Sequence, residues 1–192
     1  MRFAIFASGN GSNFEAIVKA SQQGNIAGTL VCLFCDKKDA YVIERAKKYD
    51  VPYFVMEKKA NQTKEAYEQN ILTMLENEDI DFIVLAGYMK IIGPTLLNQY
   101  KKKIINLHPS LLPKYPGNKS IKEAYDSTDE KTGVTIHLVD EGVDTGPIIY
   151  QESVAINREL SLEEFEEEMH QLEHHVLPII LNQFILGEFK NV

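Results

Sequence analysis

Residues 3–18 read FAIFASGNGSNFEAIV, and this stretch sets the pattern for the first half of the chain. The apolar run at residues 3–7 predicts a strand. Residues 13–23 predict an amphipathic helix, because Phe14, Ile17 and Val18 fall on one face. A strand, a glycine-rich turn and a helix in this order are typical of a parallel sheet covered by helices.

The same alternation continues through the first 100 residues. Further strands are predicted at residues 29–35, 53–56, 82–86 and 104–107, and helices at residues 40–49, 64–76 and after Pro94. Residues 82–86 show no polar alternation, which predicts a strand buried on both faces. The fold class is therefore α/β, with a mostly parallel central sheet flanked by helices.

The second half of the chain has a different pattern. Residues 134–139 and 148–154 predict two strands with no helix between them, so we expect an antiparallel pair. Residues 161–186 predict one long C-terminal helix with a kink at Pro178. Ser161 and Glu164 have the spacing of a capping box at its start.

Length and composition bound the function. A chain of 192 residues is one domain's worth, and its net charge of −8 excludes the basic footprint of a nucleic-acid-binding protein. No apolar run is long enough to span a membrane, and we expect no signal peptide before the first strand. The chain has only two cysteines, Cys32 and Cys35, too few to stabilise a domain of this size by disulfide bonds. We expect a cytoplasmic protein that works on small molecules, without nucleic acid or membrane.

The glycine-rich loop at residues 8–13 is the first candidate site. Its glycines let the backbone turn tightly, and the following helix offers free amides to an anion. The dinucleotide fingerprint needs a third glycine where Phe14 stands, so the loop favours a single phosphate held near residues 11–13. A plain turn capped by an Asn side chain is the alternative.

Asn106 and His108 form the second candidate site. They are two residues apart at the carboxyl end of a predicted strand, so both point to the same face. An amide and an imidazole side by side suit addition at a carbonyl, because both stabilise an oxyanion and the imidazole moves a proton. The alternative is a structural histidine.

Asp144, in the loop between the last two predicted strands, is the third candidate. A carboxylate beside an imidazole would raise the pKa of that imidazole. The sequence does not place Asp144 near His108, and turn chemistry alone also explains an Asp before Thr-Gly-Pro.

Two further patterns suggest metal or redox chemistry. His170, Glu173 and His174 match a zinc-peptidase motif with Glu188 as the further ligand, although such a short pattern also arises by chance on a polar helix face. Cys32 and Cys35 fall on opposite faces of a strand, which argues against a joint role. His137 in its apolar strand is interpreted as a paired histidine of the core or a pocket.

The chain resembles the phosphoribosylglycinamide formyltransferase family over essentially its whole length. The segments that carry the resemblance are SGNGSN at residues 8–13, LAGYMKI at 85–91, NLHPSLLPKYPG at 106–117 and DEGVDTGP at 140–147. The HPSLLP segment marks the wider formyltransferase superfamily. The glycine loop and the short single-domain length narrow the resemblance to this family.

The resemblance implies a Rossmann-like formyltransferase fold and direct formyl transfer. The donor would be 10-formyltetrahydrofolate as cosubstrate, the acceptor the amine of glycinamide ribonucleotide, and no metal would be required. The implied catalytic residues are Asn106, His108 and Asp144. The implied ribonucleotide contacts are Gly11, Ser12, Asn13 and Glu173. The implied folate contacts are Lys64, Met89, Lys90, Ile91, Ile92, Asn106, Asp140, Glu141, Gly142, Val143 and Asp144.

The chain departs from the family at two places. Lys64 stands where the family usually has Arg. The lysine keeps the positive charge but cannot form the two parallel hydrogen bonds that a guanidinium makes with a carboxylate. Residues 118–121 read NKSI where some members carry two histidines. We expect one domain over residues 1–192, with a nucleotide-binding half at 1–100 and a folate-binding and catalytic half at 101–192. The chain would act as a monomer or a homodimer.

Other functions remain open at this stage. Methionyl-tRNA formyltransferase and formyltetrahydrofolate hydrolase share the superfamily, but each carries a further domain that this chain is expected to lack. A zinc peptidase and a non-catalytic nucleotide-binding module are the alternatives from other classes.

Overall fold

The computed structural model describes residues 1–189 and contains one mixed sheet with helices on both faces. The strands are β1 (Arg2–Ala7), β2 (Thr29–Cys35), β3 (Tyr53–Val55), β4 (Phe82–Leu85), β5 (Ile104–His108), β6 (Lys131–Leu138) and β7 (Ile148–Ala155). The helices are α1 (Ser12–Gln22), α2 (Val42–Lys48), α3 (Lys64–Asn77), α4 (Pro94–Gln99), α5 (Ser120–Asp126) and α6 (Leu162–Ile185).

The seven strands lie in the order β3-β2-β1-β4-β5-β6-β7. The first five strands of the chain are parallel, while β6 is antiparallel to β5 and β7 is antiparallel to β6. This confirms the predicted fold class. The strand order reverses between β1 and β4, and ligands of open parallel sheets collect beyond the carboxyl ends of the strands at such a point.

The sheet has a core on each face. Phe3 and Ile5 of β1 pack with α1, α2 and α6, whereas Ala4 and Phe6 pack with α3 and α4. Every residue of β4 is buried, as expected for a strand covered on both sides. The two cysteines follow the same alternation, since Cys32 belongs to one core and Cys35 to the other. Their predicted separation is confirmed.

One helix was missed by the sequence-based expectation, and another keeps Pro178 in its interior. Helix α5 was not predicted, because only Ser120 and Ala124 among its residues are buried and a short helix with so small an apolar face has little periodicity. Helix α6 continues as one element through Pro178. The other boundaries agree to within about three residues, the usual scatter at element ends. Within residues 1–189, no helix combines the length and the apolar character that a membrane crossing requires.

The capping box of α6 is present as predicted. The Ser161 hydroxyl accepts from the Glu164 backbone N–H at 3.3 Å, and the Glu164 carboxylate accepts from the Ser161 N–H at 2.7 Å. We predict that Ser161→Ala lowers the free energy of unfolding by about 1 kcal/mol, because a helix-terminal N–H loses its acceptor. Urea denaturation measures the change. Ser161→Asp keeps an acceptor and serves as the control, so an equal loss in both variants would contradict the capping role.

Candidate active site

A cleft of about 420 Å³ opens at the carboxyl ends of the central strands. Its walls come from the loops that follow β1, β4 and β5, from residues 137–144 and from the face of α6 that carries His170 and Glu173. The cleft lies at the reversal of strand order. Most of the residues singled out in the sequence, from both halves of the chain, therefore face one cavity.

The glycine-rich loop forms one wall. Gly11 has a φ of +78°, and a Cβ at this position would collide with the side chain of Val42. The Ser8 N–H donates to the Gly87 carbonyl at 3.0 Å, and the Ser8 hydroxyl accepts from the Met89 N–H at 2.9 Å. These bonds tie the loop after β1 to the loop after β4.

The first turn of α1 presents unpaired donors to the cleft. Gly11 stands at the N-cap of α1 and brings no side-chain cap to it. Within residues 1–189, no acceptor faces the backbone N–H groups of Gly11, Ser12 and Asn13. Three consecutive free amides at the positive end of a helix suit an anion such as a phosphate.

Glu173 lies beside this loop and is 3% exposed. Its carboxylate accepts from the Asn13 Nδ2 at 2.8 Å and lies 3.2 Å from His170 Nδ1. The hydrogen bond with Glu173 raises the pKa of His170. The Asn13 Oδ1 is buried, and no donor within the described chain reaches it.

The zinc-like triplet has a different arrangement from the one the motif predicts. Glu173 is directed at Asn13 and His170, and burial lowers the pKa of His174. Glu188 lies beyond the end of α6. Across the described part of the chain, no three His, Cys, Asp or Glu side chains converge as a metal site.

Asn106 is held by a neighbour on the adjacent strand. The antiparallel register of β5 and β6 places Asn106 opposite His137. His137 Nδ1 donates to the Leu138 carbonyl at 2.8 Å, so its Nε2 accepts from the Asn106 Nδ2, at 3.1 Å, in the neutral ring. The second N–H of that amide remains for the cleft.

His108 and Asp144 are in contact, which the sequence had left open. His108 Nδ1 lies 3.4 Å from the Asp144 Oδ2, and His108 Nε2 donates to the Tyr115 carbonyl at 2.8 Å. Both acceptors are satisfied together when both ring nitrogens carry hydrogen, which is the imidazolium. The Tyr115 backbone has a positive φ of 54°, an uncommon conformation for a residue with a side chain.

Asp144 has polar neighbours at both of its carboxylate oxygens. Its Oδ2 accepts from the Gly117 N–H at 2.8 Å, and its Oδ1 lies 3.7 Å from His137 Nε2. The neighbouring His137, the Gly117 amide and the His108 ring lower the pKa of Asp144 from 3.8 to about 2, against the opposing effect of burial. The carboxylate is therefore ionised at neutral pH between two histidines.

The far end of the cleft has exposed apolar side chains. Met89 is 54%, Ile91 58% and Val143 51% exposed, while Ile92 beneath them is buried in the core. Three such side chains around one cavity are suited to a flat aromatic ligand. Lys90 lies near them, 3.2 Å from the Asp36 carboxylate and above the Tyr67 ring.

The remaining predicted folate contacts lie around this end. The Asp140 carboxylate accepts from the Gly142 N–H at 3.0 Å and from the Thr145 hydroxyl at 2.7 Å, which shapes the loop. Glu141 is exposed in that loop and does not line the cleft. Lys64 is exposed at the start of α3, with its side chain against Gly93, and it does not line the cleft either.

Sequence patterns missed the residues that support the site. They found His137 as a paired histidine but gave it no partner, because the pairing depends on the strand register. Asp36 lies in no motif, and its contact with Lys90, like that of Ser8 with Met89, joins segments far apart in the chain. Tyr115 lies only seven residues from His108, but nothing in its residue type indicates that its carbonyl accepts from the ring. Only the proline-rich context of Tyr115 could have indicated a tight turn there.

Known proteins share sequence with almost the whole of this chain. The family model described as formyl transferase matches residues 1–181. The chain is 46% identical to the phosphoribosylglycinamide formyltransferase of Bacillus subtilis over 96% of this chain and 94% of the relative. It is 33% identical to the enzyme of that name from Escherichia coli, over 99% and 90% of the two chains.

Solved structures show the same likeness. Glycinamide ribonucleotide transformylase 1 from Geobacillus kaustophilus superimposes with a TM-score of 0.92 at 49% identity, covering 95% of this chain and 97% of that one. The protein of the same name from Symbiobacterium toebii gives a TM-score of 0.93 at 32% identity, with 97% and 88% covered.

The environment of Asp144 leads to a prediction about acid stability. Because its pKa falls from 3.8 to about 2 on folding, the carboxylate stabilises the folded state at neutral pH, and this stabilisation is lost as the pH falls from about 4 towards 2. We expect Asp144→Asn to lower the free energy of unfolding at pH 7 by on the order of 2 kcal/mol. The gap between variant and parent should close below pH 4.

Urea denaturation at a series of pH values tests this. Glu141→Gln, in the same loop but exposed, is the matched control and should leave the pH profile unchanged. A gap between Asp144→Asn and the parent that stays constant down to pH 2 would show that the charge of Asp144 is not what stabilises the fold.

Proposed function

We propose a mechanism on the premise that this chain belongs to the formyl transferase family, whose model matches residues 1–181. It is a folate-dependent phosphoribosylglycinamide formyltransferase. It transfers the formyl group of 10-formyltetrahydrofolate to the amino group of glycinamide ribonucleotide, in purine biosynthesis. The products are formylglycinamide ribonucleotide and tetrahydrofolate. The single observation that carries the mechanism is the convergence of the Asn106 amide and the His108–Asp144 pair on the cleft that the free amides of α1 also face.

The ribonucleotide is assigned to the α1 end of the cleft. The N–H groups of Gly11, Ser12 and Asn13 receive its phosphate, because they are unpaired and stand at the positive end of a helix. Glu173 is buried next to them and accepts from ribose hydroxyls. This end suits an anion in a protein of net charge −8 because the donors are backbone amides and a helix dipole, which act locally.

The folate is assigned to the opposite end. The pterin lies against Met89, Ile91 and Val143, whose exposed apolar surface it covers. Ile92, Asp140 and Gly142 complete the wall and the loop around it. Lys64, outside the cleft lining, supplies positive charge for the carboxylates of the folate tail, and Glu141 lies in the exposed part of the loop. Lys90, whose charge is paired with Asp36, contributes to the wall of the pterin pocket.

The reaction is an addition followed by an elimination. The neutral amine adds to the formyl carbon, so a C–N bond forms and the carbonyl oxygen becomes an oxyanion. The second Asn106 N–H donates to that oxyanion, and the imidazolium of His108, paired with Asp144, stabilises it by its charge. One proton passes from the new ammonium to the folate nitrogen, and the bond from that nitrogen to the formyl carbon breaks.

His137 and Asp144 keep these groups in position. His137 holds the Asn106 amide by its first N–H, so the direction of the second one is fixed before substrate binds. Asp144, ionised at neutral pH, lies 3.4 Å from His108 Nδ1 and orients that ring. Preorganised donors of this kind lower the barrier because they do not reorient during the reaction. We propose that the reaction needs no metal, since the protein supplies hydrogen-bond donors to the oxyanion. We also propose that the reaction takes place in the cytoplasm.

A transfer assay tests this function. Purified protein is mixed with both substrates in the presence of a chelator, and formylated product is followed by mass. We expect product only when both substrates are present, at a rate that the chelator does not change. Release of formate from the folate without the acceptor would indicate a hydrolase, and no turnover at all would contradict the proposal.

Asn106 provides the sharpest test of the oxyanion contact. We predict that Asn106→Ala lowers kcat by about 100- to 1,000-fold, because one preorganised donor to the oxyanion is lost. Steady-state kinetics with both substrates at saturation measures the change. Asn98→Ala, an exposed position on α4, is the matched control and should keep the parental rate. A near-parental kcat in a folded Asn106→Ala protein would exclude the assigned role.

A further inference from the structure

Arg45 on α2 forms two hydrogen bonds with Asn10, the residue that precedes Gly11. Its Nε donates to the Asn10 carbonyl at 2.8 Å, and its Nη2 donates to the Asn10 Oδ1, also at 2.8 Å. Both bonds go to one residue, so the planar guanidinium fixes the backbone and the side chain of Asn10 together. The Arg45 side chain is 19% exposed, so it is held largely by its protein contacts.

The remaining side of the guanidinium is also occupied. Arg45 Nη1 forms an ion pair with the Glu15 carboxylate, which lies in the first turn of α1. Glu15 receives further contacts from the Tyr49 hydroxyl and from Lys19 Nζ at 3.1 Å. Arg45 therefore links α2, the loop and α1. The charge of Arg45 is balanced by the Glu15 carboxylate, so Arg45 is not available as a cation for a ligand.

Helix α2 contacts the loop through its backbone as well. The Val42 N–H donates to the Gly9 carbonyl at 3.0 Å, and the Val42 side chain fills the space beside Gly11. Gly9, Asn10 and Gly11 are thus all held by the same helix. The glycine loop is fixed from its outer side, opposite the cleft that its inner side lines.

Through the geometry of the peptide bond, the hydrogen bond from Arg45 to the Asn10 carbonyl sets the direction of the Gly11 N–H. In a trans peptide the carbonyl oxygen and the following N–H point in opposite directions. Because the Asn10 carbonyl points at Arg45, the Gly11 N–H points away from Arg45, and no acceptor within residues 1–189 takes it. Rotation of this one peptide would remove the first of the three free amides.

We propose that Arg45 is a positioning residue for the phosphate of the ribonucleotide. It fixes the Asn10–Gly11 peptide so that the Gly11 N–H joins those of Ser12 and Asn13 in binding the phosphate. This inference rests on the proposed function, which assigns the phosphate to the loop. Arg45 does not touch the ligand, and its effect passes through the orientation of one backbone amide.

The test compares two acceptors that differ only in the phosphate. Calorimetry gives the Kd of glycinamide ribonucleotide and of the corresponding riboside without its 5′-phosphate, and the ratio of the two is the phosphate preference of the protein. We expect Arg45→Met to lower this preference by on the order of tenfold, the size of one charge-assisted contact, while the Kd of the riboside stays the same. A general loss of structure would instead weaken the binding of both acceptor substrates.

Three further variants separate the effect of the two hydrogen bonds from Arg45 to Asn10 from the effect of the Arg45 charge. Arg45→Lys keeps the charge but cannot bond both oxygens of Asn10, so it should resemble Arg45→Met. Asn10→Ala removes one of the two acceptors and keeps the protein testable if the Arg45 variants do not fold; it should lose a smaller part of the preference. Lys47→Met removes the same charge from the same helix at a solvent-exposed position and should change nothing.

The outcomes distinguish the inference from the function on which it rests. Full preference in Arg45→Lys would show that charge alone acts, and equal weakening of both acceptors would show a merely structural role; either result overturns the inference. If the parent binds the ribonucleotide but does not turn over with folate, the catalytic proposal fails while the positioning role is still measured. If the parent shows no phosphate preference at all, both fail.

Discussion

The antiparallel pairing of β6 with β5 is the constraint on which the active site depends. It places His137 directly opposite Asn106, and the ring then fixes the amide that faces the cleft. The turn that follows β6 returns the chain over the same edge of the sheet and delivers Asp144 to both histidines. A slip of one residue in this register would turn His137 to the other face of the sheet and remove its contact with Asn106.

The electrostatics of the cleft explain how an acidic protein can handle anionic substrates. The chain carries a net charge of −8, yet the end of the cleft proposed for the phosphate is formed by backbone amides whose dipoles do not depend on that total. The carboxylates in the cleft are each occupied by partners. Asp144 faces two histidines and an amide, and Glu173 accepts from Asn13. Their charges are balanced where they stand, which leaves the donors free for substrate.

The site is assembled from both halves of the chain because the switch in strand order brings them together. The loop after β1 and the loop after β4 diverge to opposite sides, and Ser8 bonds across the gap to Gly87 and Met89. On the outer side, α2 holds the glycine loop through Val42 and Arg45. The proposed ribonucleotide and folate ends of the cleft therefore belong to one continuous cavity.

The sequence by itself determined the fold class and named most of the candidate site residues that line the cleft. The strand and helix periods, the break at residues 8–13 and the capping box at Ser161 act over a few neighbouring residues, so they can be read locally. The same is true of Asn106 and His108, whose two-residue spacing on a strand sets a common face. Only the tertiary structure decided that His137 holds Asn106, that Asp144 reaches His108 and that Arg45 grips Asn10. Those contacts join residues more than 30 positions apart in the chain, so no local pattern indicates them. Strand register and the path of the loop after β6 are fixed by packing of the whole sheet rather than by neighbouring residues.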